Sequence, residues 1–138
     1  MRFWSFLFGK RVKRNPVEDY FESEHYFSPS GEIIGLSATG ESGSLTLRQE
    51  EFIAQVEKEY PLIVAVIIPG IENRFRSWKP EFKIGDFKQE FKPVYLAIPT
   101  CEQQPVEWEI AFETIHDRNH TVFIAMLDFQ PQYVRIDG

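Results

Sequence analysis

Hydrophobic and polar residues alternate along several short segments of this 138-residue chain, and they follow a helical period in its middle. Segments 20–27 and 32–38 are rich in aromatic and β-branched residues, as strands are. Between them lies Ser28-Pro29-Ser30-Gly31, a composition typical of a turn. This pattern predicts an N-terminal β-hairpin.

Two helices are predicted in the middle of the chain. The first begins at Thr46, because Thr46-Leu-Arg-Gln49 matches a capping box and two glutamates follow it. The second begins near Pro61, and Pro69-Gly70 is expected to kink or end it. A buried strand over 62–68 is the alternative, since that segment is β-rich, but a 3.6-residue period favours helix. The residues with that period are Val64, Ile67, Ile68, Ile71, Phe75 and Trp78.

The last third of the chain is predicted to be antiparallel sheet. A long loop, anchored to the core by Phe82, Phe87 and Phe91, leads into it. The predicted strands are 94–98, 106–115, 121–128 and 133–136, with tight connections at 116–120 and 129–132. The fold class is therefore α+β: an N-terminal β-hairpin, two central helices and a C-terminal antiparallel β-meander, with the helices packed on one face of the sheet.

Charge is divided unevenly along the chain. Residues 1–14 contain five bases and no acid, whereas residues 15–138 combine ten bases with all 21 acids, for a net charge of −11. We predict a basic aromatic leader, 1–14, followed by a single α+β domain, 15–138. Because nucleic-acid binding depends on bases that neutralise phosphates, this acidic domain argues against nucleic acid and favours a basic protein partner.

Cysteine content and the leader bear on location. A lone Cys101 excludes an intramolecular disulfide and favours the cytoplasm. The apolar run 3–8 is too short for a secretion signal or a membrane span. The predicted location is cytoplasmic, and attachment of the leader would place the protein at the inner face of the membrane.

Two hypotheses fit the leader. Its aromatic residues and bases match those of weak, reversible attachment to an anionic membrane surface. In the alternative, the aromatic residues pack onto the domain and the bases are solvated. The membrane hypothesis assigns lipid contact to Phe3, Trp4, Phe6, Leu7, Phe8, Lys10 and Arg11.

One predicted strand carries three like charges on one face. From Val106 the apolar residues point one way and Glu107, Glu109 and Glu113 point the other. A solvated outer face is the usual explanation, and paired carboxylates for acid–base chemistry are the rarer one. Together with the following turn, this acidic face suits a basic protein partner. The predicted partner-binding residues are Glu107, Glu109, Glu113, Asp117, Arg118 and His120.

The segment His116-Asp117-Arg-Asn-His120 resembles a metal-ligand cluster, but its spacing across a hairpin connection favours a structural turn. His25 is the one other histidine, and no cysteine lies nearby. Cys101 and the serines lack the neighbours that a nucleophile needs. We therefore predict no catalytic residue, no metal and no cofactor, and a small metal-dependent enzyme is the last alternative.

Four segments follow one another along the chain: Thr46-Leu-Arg-Gln-Glu-Glu-Phe with the apolar helix to Phe75, Pro93-Val-Tyr-Leu-Ala-Ile-Pro, the stretch from Trp108 to Val122, and Val134-Arg-Ile-Asp-Gly. In this order they resemble small bacterial domains of unknown function. The late hairpin of such domains often has an Asp-x-Glu-His-Gly-like turn, and this chain has Asp117-Arg-Asn-His120-Thr.

Domains of that kind frequently sit beside secreted polymorphic toxins and are interpreted as immunity proteins. The resemblance covers about residues 32–138. It implies an intracellular protein that neutralises one toxin by binding it, without turnover. No catalytic residue carries over.

Overall fold

A computed structural model describes residues 19–137 of the chain. In this part of the chain, six strands and three helices follow one another in a fixed order. They are β1 (Tyr20–Phe27), β2 (Glu32–Thr39), α1 (Leu47–Lys58), α2 (Tyr60–Phe75), α3 (Phe87–Glu90), β3 (Phe91–Ile98), β4 (Glu107–Thr114), β5 (Asp117–Leu127) and β6 (Gln130–Asp137).

The six strands form one sheet in the order β1 to β6. All neighbours are antiparallel except β2 and β3, which run parallel with Gly35 opposite Tyr95 and Leu36 opposite Leu96. The α+β fold, the N-terminal hairpin, the central helices and the C-terminal antiparallel strands are confirmed. β2 and β3 can pair in parallel because α1 and α2 lie between them in the chain and form the long crossover that a parallel pair requires.

The capping box at the start of α1 is confirmed. The Thr46 hydroxyl accepts a hydrogen bond from the Gln49 amide at 3.1 Å, and Gln49 Oε1 accepts one from the Thr46 amide at 3.0 Å. Gln49 Nε2 also donates to the carbonyls of Thr39 (2.7 Å) and Pro99 (2.9 Å), and the residue is 1% exposed. One side chain thus joins the helix to the ends of β2 and β3.

Helix is confirmed over the β-rich segment that follows. α2 continues through Pro69 to Phe75, so this proline does not end the helix. Every fourth residue of α2 contributes to its fully buried face, which consists of Ile63, Ile67, Ile71 and Phe75. The prediction that Trp78 continues this helical face is wrong, because the helix ends three residues earlier and the indole is 44% exposed.

The connector between α2 and β3 is anchored as predicted. Phe82, Phe87 and Phe91 are all buried, and the Phe82 ring stacks on Phe75 at 4.7 Å between centroids. The short helix α3 was not predicted within this loop. Asp86 precedes it and accepts a hydrogen bond from the Gln89 amide at 3.4 Å.

The two faces of the sheet differ in what covers them. On the inner face, α1 and α2 pack against alternate residues of the strands and form the main core. The opposite, outer face carries a smaller buried cluster, whose members among residues 19–137 all lie in strands: Val94, Tyr95, Ala97, Ala111 and Phe123. The candidate site lies on this outer face.

Candidate protein-interaction surface

Strand β4 presents its carboxylates on the outer face, in agreement with the predicted alternation. Trp108, Ile110 and Phe112 are buried in the main core, so the residues between them point away from the helices. Glu107 and Glu113 are exposed, and Glu109 is half-buried. The outer face is thus acidic along this strand.

The start of β4 is fixed by the β5–β6 turn. Asp128 Oδ1 accepts a hydrogen bond from the Val106 amide at 2.8 Å, and the Asp128 carbonyl accepts one from the Trp108 indole at 2.7 Å. Asp128 itself has a φ of 51°, a left-handed conformation that Asp tolerates better than most residues. Because both neighbours of Glu107 are held, its side chain is directed outward.

The predicted glutamates form a stripe and not a cluster. Glu107 and Glu113 are six positions apart, which is about 20 Å along a strand. Both are exposed, and neither makes an ion pair with any other described residue. This separation of the two exposed carboxylates suits an extended contact with a partner.

Glu109, in the middle of the stripe, is engaged by Arg135. One guanidinium nitrogen lies 3.3 Å from Glu109 Oε2, and another lies 2.7 Å from Asp137 Oδ2. The same guanidinium covers the Phe123 ring, 4.1 Å from its centroid. Arg135 thereby offsets negative charge at the centre of the face and leaves the exposed charge at its ends.

The hairpin tip differs from its prediction. β5 begins at Asp117, and Asp117 pairs with Thr114, so the connection is Ile115-His116 and residues 117–120 belong to the strand. The predicted connection over 116–120 is therefore wrong. The pairing register shifts between Phe112 and Thr114, and Asp117 then pairs with Thr114. Strand pairing therefore includes the polar residues 117–120, whose composition had suggested a turn.

The predicted residues at this tip are partly paired. Asp117 Oδ1 lies 2.8 Å from His120 Nδ1, while Arg118 and His120 are exposed. Because Thr114 lies opposite Asp117, this pair sits at the same end of the β4–β5 hairpin as Glu113. The predicted partner-binding residues therefore extend from one end of β4 to the hairpin tip.

His116 belongs to a different environment from His120. Its Nε2 lies 2.8 Å from Glu90 Oε1, and its ring meets the Phe82 ring edge-on at 4.8 Å between centroids. Across residues 19–137, no three His, Cys, Asp or Glu side chains converge in a way that could hold a metal ion. The metal-like spacing in the sequence thus corresponds to two separate pairs.

A groove of about 850 Å³ lies beside the acidic stripe. Its lining includes Glu102, Glu107 and Glu109 and, among described residues, no Lys, Arg or His. Tyr20 from β1 and Tyr133 from β6 also line it. The groove was not predicted from the sequence, although alternation along β1 and β6 indicates the face on which each tyrosine lies.

Large apolar side chains are exposed on the outer face. Tyr26, Ile33 and Tyr133 are 59%, 61% and 59% exposed, and the strand pairings place them on the same side as Glu107. Exposed tyrosines beside carboxylates are typical of protein-binding surfaces.

Cys101, the lone thiol, lines the same groove but is itself buried. Burial raises its pKa to about 11, and its Sγ lies 3.5 Å from the Pro99 carbonyl. A thiol with so high a pKa is almost entirely protonated at neutral pH, which makes it a poor nucleophile.

The membrane contacts assigned to Phe3, Trp4, Phe6, Leu7, Phe8, Lys10 and Arg11 lie outside the described residues, as does the leader as a whole. That hypothesis stays a prediction. Within residues 19–137, none of the helices has the length and apolar character needed to cross a membrane.

Comparison with known proteins gave no relative from which a function is transferred. No protein-family model, no curated protein and no solved structure matches the chain. The outer face itself is therefore the basis for proposing a function.

Proposed function

We propose that this protein is a non-catalytic, immunity-type bacterial protein that binds and neutralises a basic cognate toxin. The observation that carries the proposal is the outer face of the sheet, where exposed carboxylates and exposed tyrosines lie together opposite the helices. The resemblance over residues 32–138 agrees with it.

Charge supports a basic partner. Glu107 and Glu113 keep exposed carboxylates at the two ends of β4, and the groove adds Glu102 without any described base. Opposite charge across an interface accelerates association and excludes acidic competitors. Ion pairs at such a rim are weakened by salt, so the complex should be salt-sensitive.

Exposed aromatic residues supply the apolar part of the contact. Tyr26 and Tyr133 lie on either side of the buried centre of the outer face, on β1 and β6. Tyrosine is enriched among the residues that dominate binding energy, because it buries a large ring at low entropic cost. Together with the stripe, they span a width comparable to a standard interface.

The test uses the full chain and the purified product of the adjacent gene, the candidate toxin. Charge reversal of Glu107→Lys and Glu113→Lys should weaken binding by roughly tenfold each in calorimetry at low salt. Glu51→Lys is the matched control. It makes the same charge change at an exposed position of α1, which lies on the opposite side of the sheet.

Equal loss of affinity in Glu51→Lys and Glu107→Lys would assign binding to net charge alone and would contradict a role for the outer face. Absence of any complex with the neighbouring product at low salt would overturn the proposal. Toxin activity in the presence of the saturating wild-type chain should fall in parallel with complex formation.

A further inference from the structure

The centre of the outer face is buried, although no described helix contributes to it. The five described members of its cluster, Val94, Tyr95, Ala97, Ala111 and Phe123, are each at most 6% exposed. The free face of an antiparallel sheet is ordinarily polar and solvated. Burial to this degree indicates that further side chains cover this part of the sheet.

Tyr95 is the largest fully buried side chain among the described members of the cluster. Its side chain has no exposed area, its hydroxyl lies 2.9 Å from the Ser37 hydroxyl, and Gly35 and Ala111 are its neighbours across the strands. Glycine and alanine leave a shallow floor around the tyrosine ring. Arg135 covers Phe123 at the other end of the cluster.

The groove beside this cluster has the chemistry of a site for a cationic, aromatic ligand. Three carboxylates line it, from Glu102, Glu107 and Glu109, and its described lining holds no base. Tyr20, Leu127 and Tyr133 add apolar surface. Aromatic rings and aliphatic stems of bases can fill such a groove while the charged ends reach the carboxylates.

The leader has the complementary composition. Residues 1–14 contain five bases, no acid and four aromatic side chains, those of Phe3, Trp4, Phe6 and Phe8. The leader is thus complementary to the groove, because its charge is opposite and both have apolar side chains. Of the whole chain, it is the longest stretch with this combination.

The leader is also attached at the right place. Tyr20, the first residue of β1, itself lines the groove, so the chain enters the described structure at the edge of the site. Six strands span about 24 Å, whereas fourteen extended residues reach about 45 Å. Tethering at this distance gives an effective concentration on the order of millimolar, which favours contact within one chain.

We propose that residues 1–14 dock on the outer face of their own sheet. The aromatic side chains cover the cluster around Tyr95, and Lys10, Arg11, Lys13 and Arg14 lie near the carboxylates of Glu102, Glu107 and Glu109. The contact is made within one chain, so the proposal does not depend on the proposed function. Because both assign Glu107 and the groove, a basic partner would have to displace the leader from them.

Zero-length carbodiimide cross-linking of the full chain tests this directly, since the reagent joins only lysines and carboxylates in contact. A mixture of ¹⁴N- and ¹⁵N-labelled chains distinguishes links within a chain from links between copies. We expect links within one chain from Lys10 or Lys13 to Glu102, Glu107 or Glu109, and their loss at high salt.

Links from these lysines only to helix-side acids, such as Glu51 or Glu57, would overturn the proposal. So would groove links in which ¹⁴N and ¹⁵N peptides are paired at random, which would identify a second copy as the occupant. Absence of groove links combined with flotation of the chain on phosphatidylserine vesicles would assign the leader to a membrane instead.

A second measurement avoids substitutions in the folded sheet. In amide NMR spectra of the full chain, Trp4→Ala with Phe6→Ala should shift the signals of Gly35, Ala97 and Ala111 and leave those of helix α2 in place. Ser5→Ala is the matched leader control and should change neither set. Shifts confined to the helices, or identical spectra for all three proteins, would contradict docking on the outer face.

Discussion

At the residue scale, Glu90 is the most heavily engaged side chain of the connector. Its Oε2 accepts hydrogen bonds from the amides of Gly85 (2.9 Å) and Asp86 (2.7 Å), and its Oε1 lies 2.8 Å from His116 Nε2. The bond from the Asp86 amide and then the bond from His116 lower the pKa of Glu90 below its usual value of 4.5. One carboxylate thus ties the connector to the β4–β5 hairpin.

Stability should therefore depend on the charge of Glu90. Because its folded pKa is depressed, the carboxylate stabilises the fold above pH 4.5, and that contribution is lost as the pH falls through the folded pKa. Glu90→Gln should lower the free energy of unfolding by about 1–3 kcal/mol at neutral pH, with a smaller difference in acid. Urea unfolding at several pH values measures this.

Glu81→Gln is the control, since Glu81 is exposed in the same connector. It should change stability by less than about 0.5 kcal/mol. Parallel pH profiles for the wild-type chain and Glu90→Gln would contradict the role given to this carboxylate.

The contact between Glu90 and His116 could not be predicted from the sequence, for a physical reason. His116 is 26 residues away, and the two residues meet only because β3 and β4 pair side by side. The same holds for the outer face, where alternation located Glu107, Glu109 and Glu113 but gave no sign of Arg135. A side chain's own face follows from local pattern, whereas its partner depends on the register between strands.

At the element scale, the capping box and the tertiary contacts of Gln49 favour different residues at this position. Glutamate is common at N3, the third helical residue of a capping box, so the local motif alone would favour Gln49→Glu. The structure predicts the opposite, because a carboxylate cannot donate to the Thr39 and Pro99 carbonyls and would be buried as a charge.

Gln49→Glu should therefore lower the free energy of unfolding by about 2–6 kcal/mol, the sum expected for two unsatisfied carbonyls. Thermal and urea unfolding measure the change. Glu51→Gln, the reverse swap at an exposed position of the same helix, should remain within about 0.5 kcal/mol of the wild type. A Gln49→Glu protein as stable as the wild type would contradict the cross-link between α1 and the strand ends.

Element types were largely predictable, and their ends were less so. The period of Val64, Ile67 and Ile71 outweighed β-rich composition and correctly gave helix α2. The stop at Phe75 was missed, since Trp78 continues the apolar period but packs on Phe75 from outside the helix, 4.9 Å between ring centroids. Periodicity reports which residues are apolar, not whether the backbone between them is still helical.

At the scale of the whole molecule, one parallel strand pair joins the hairpin to the remaining strands. The sequence predicted both halves but not their junction, because β2 and β3 are separated by two helices and a loop. α1 and α2 pack across the inner face and contact residues from both halves. We expect the two halves to unfold together.

Leu36→Ala tests that expectation. Leu36 is 1% exposed in β2, opposite Leu96 of β3, so truncation at the junction should cost about 2–5 kcal/mol. With Trp4 and Trp78 replaced by Phe in both proteins, the fluorescence of Trp108 reports the C-terminal strands. It and far-ultraviolet circular dichroism should shift to the same lower urea midpoint. Leu62→Ala, at a 51% exposed position of α2, is the control.

Two separate transitions in Leu36→Ala, with the fluorescence midpoint unchanged, would show that the hairpin unfolds by itself. That result would divide the molecule into independently stable halves and contradict a single cooperative core.

The strand order has a consequence for how copies of this protein behave in a crowded solution. Within residues 19–137, β1 and β6 are the two edge strands, and edges recruit further strands into fibres unless something prevents it. β6 carries Pro131, which lacks the backbone donor that a new strand would need, and β1 carries Glu22 and Glu24. Both edges of this open sheet therefore disfavour the addition of a strand from another copy. At β6 a backbone donor is missing, and at β1 the like charges of two copies repel each other.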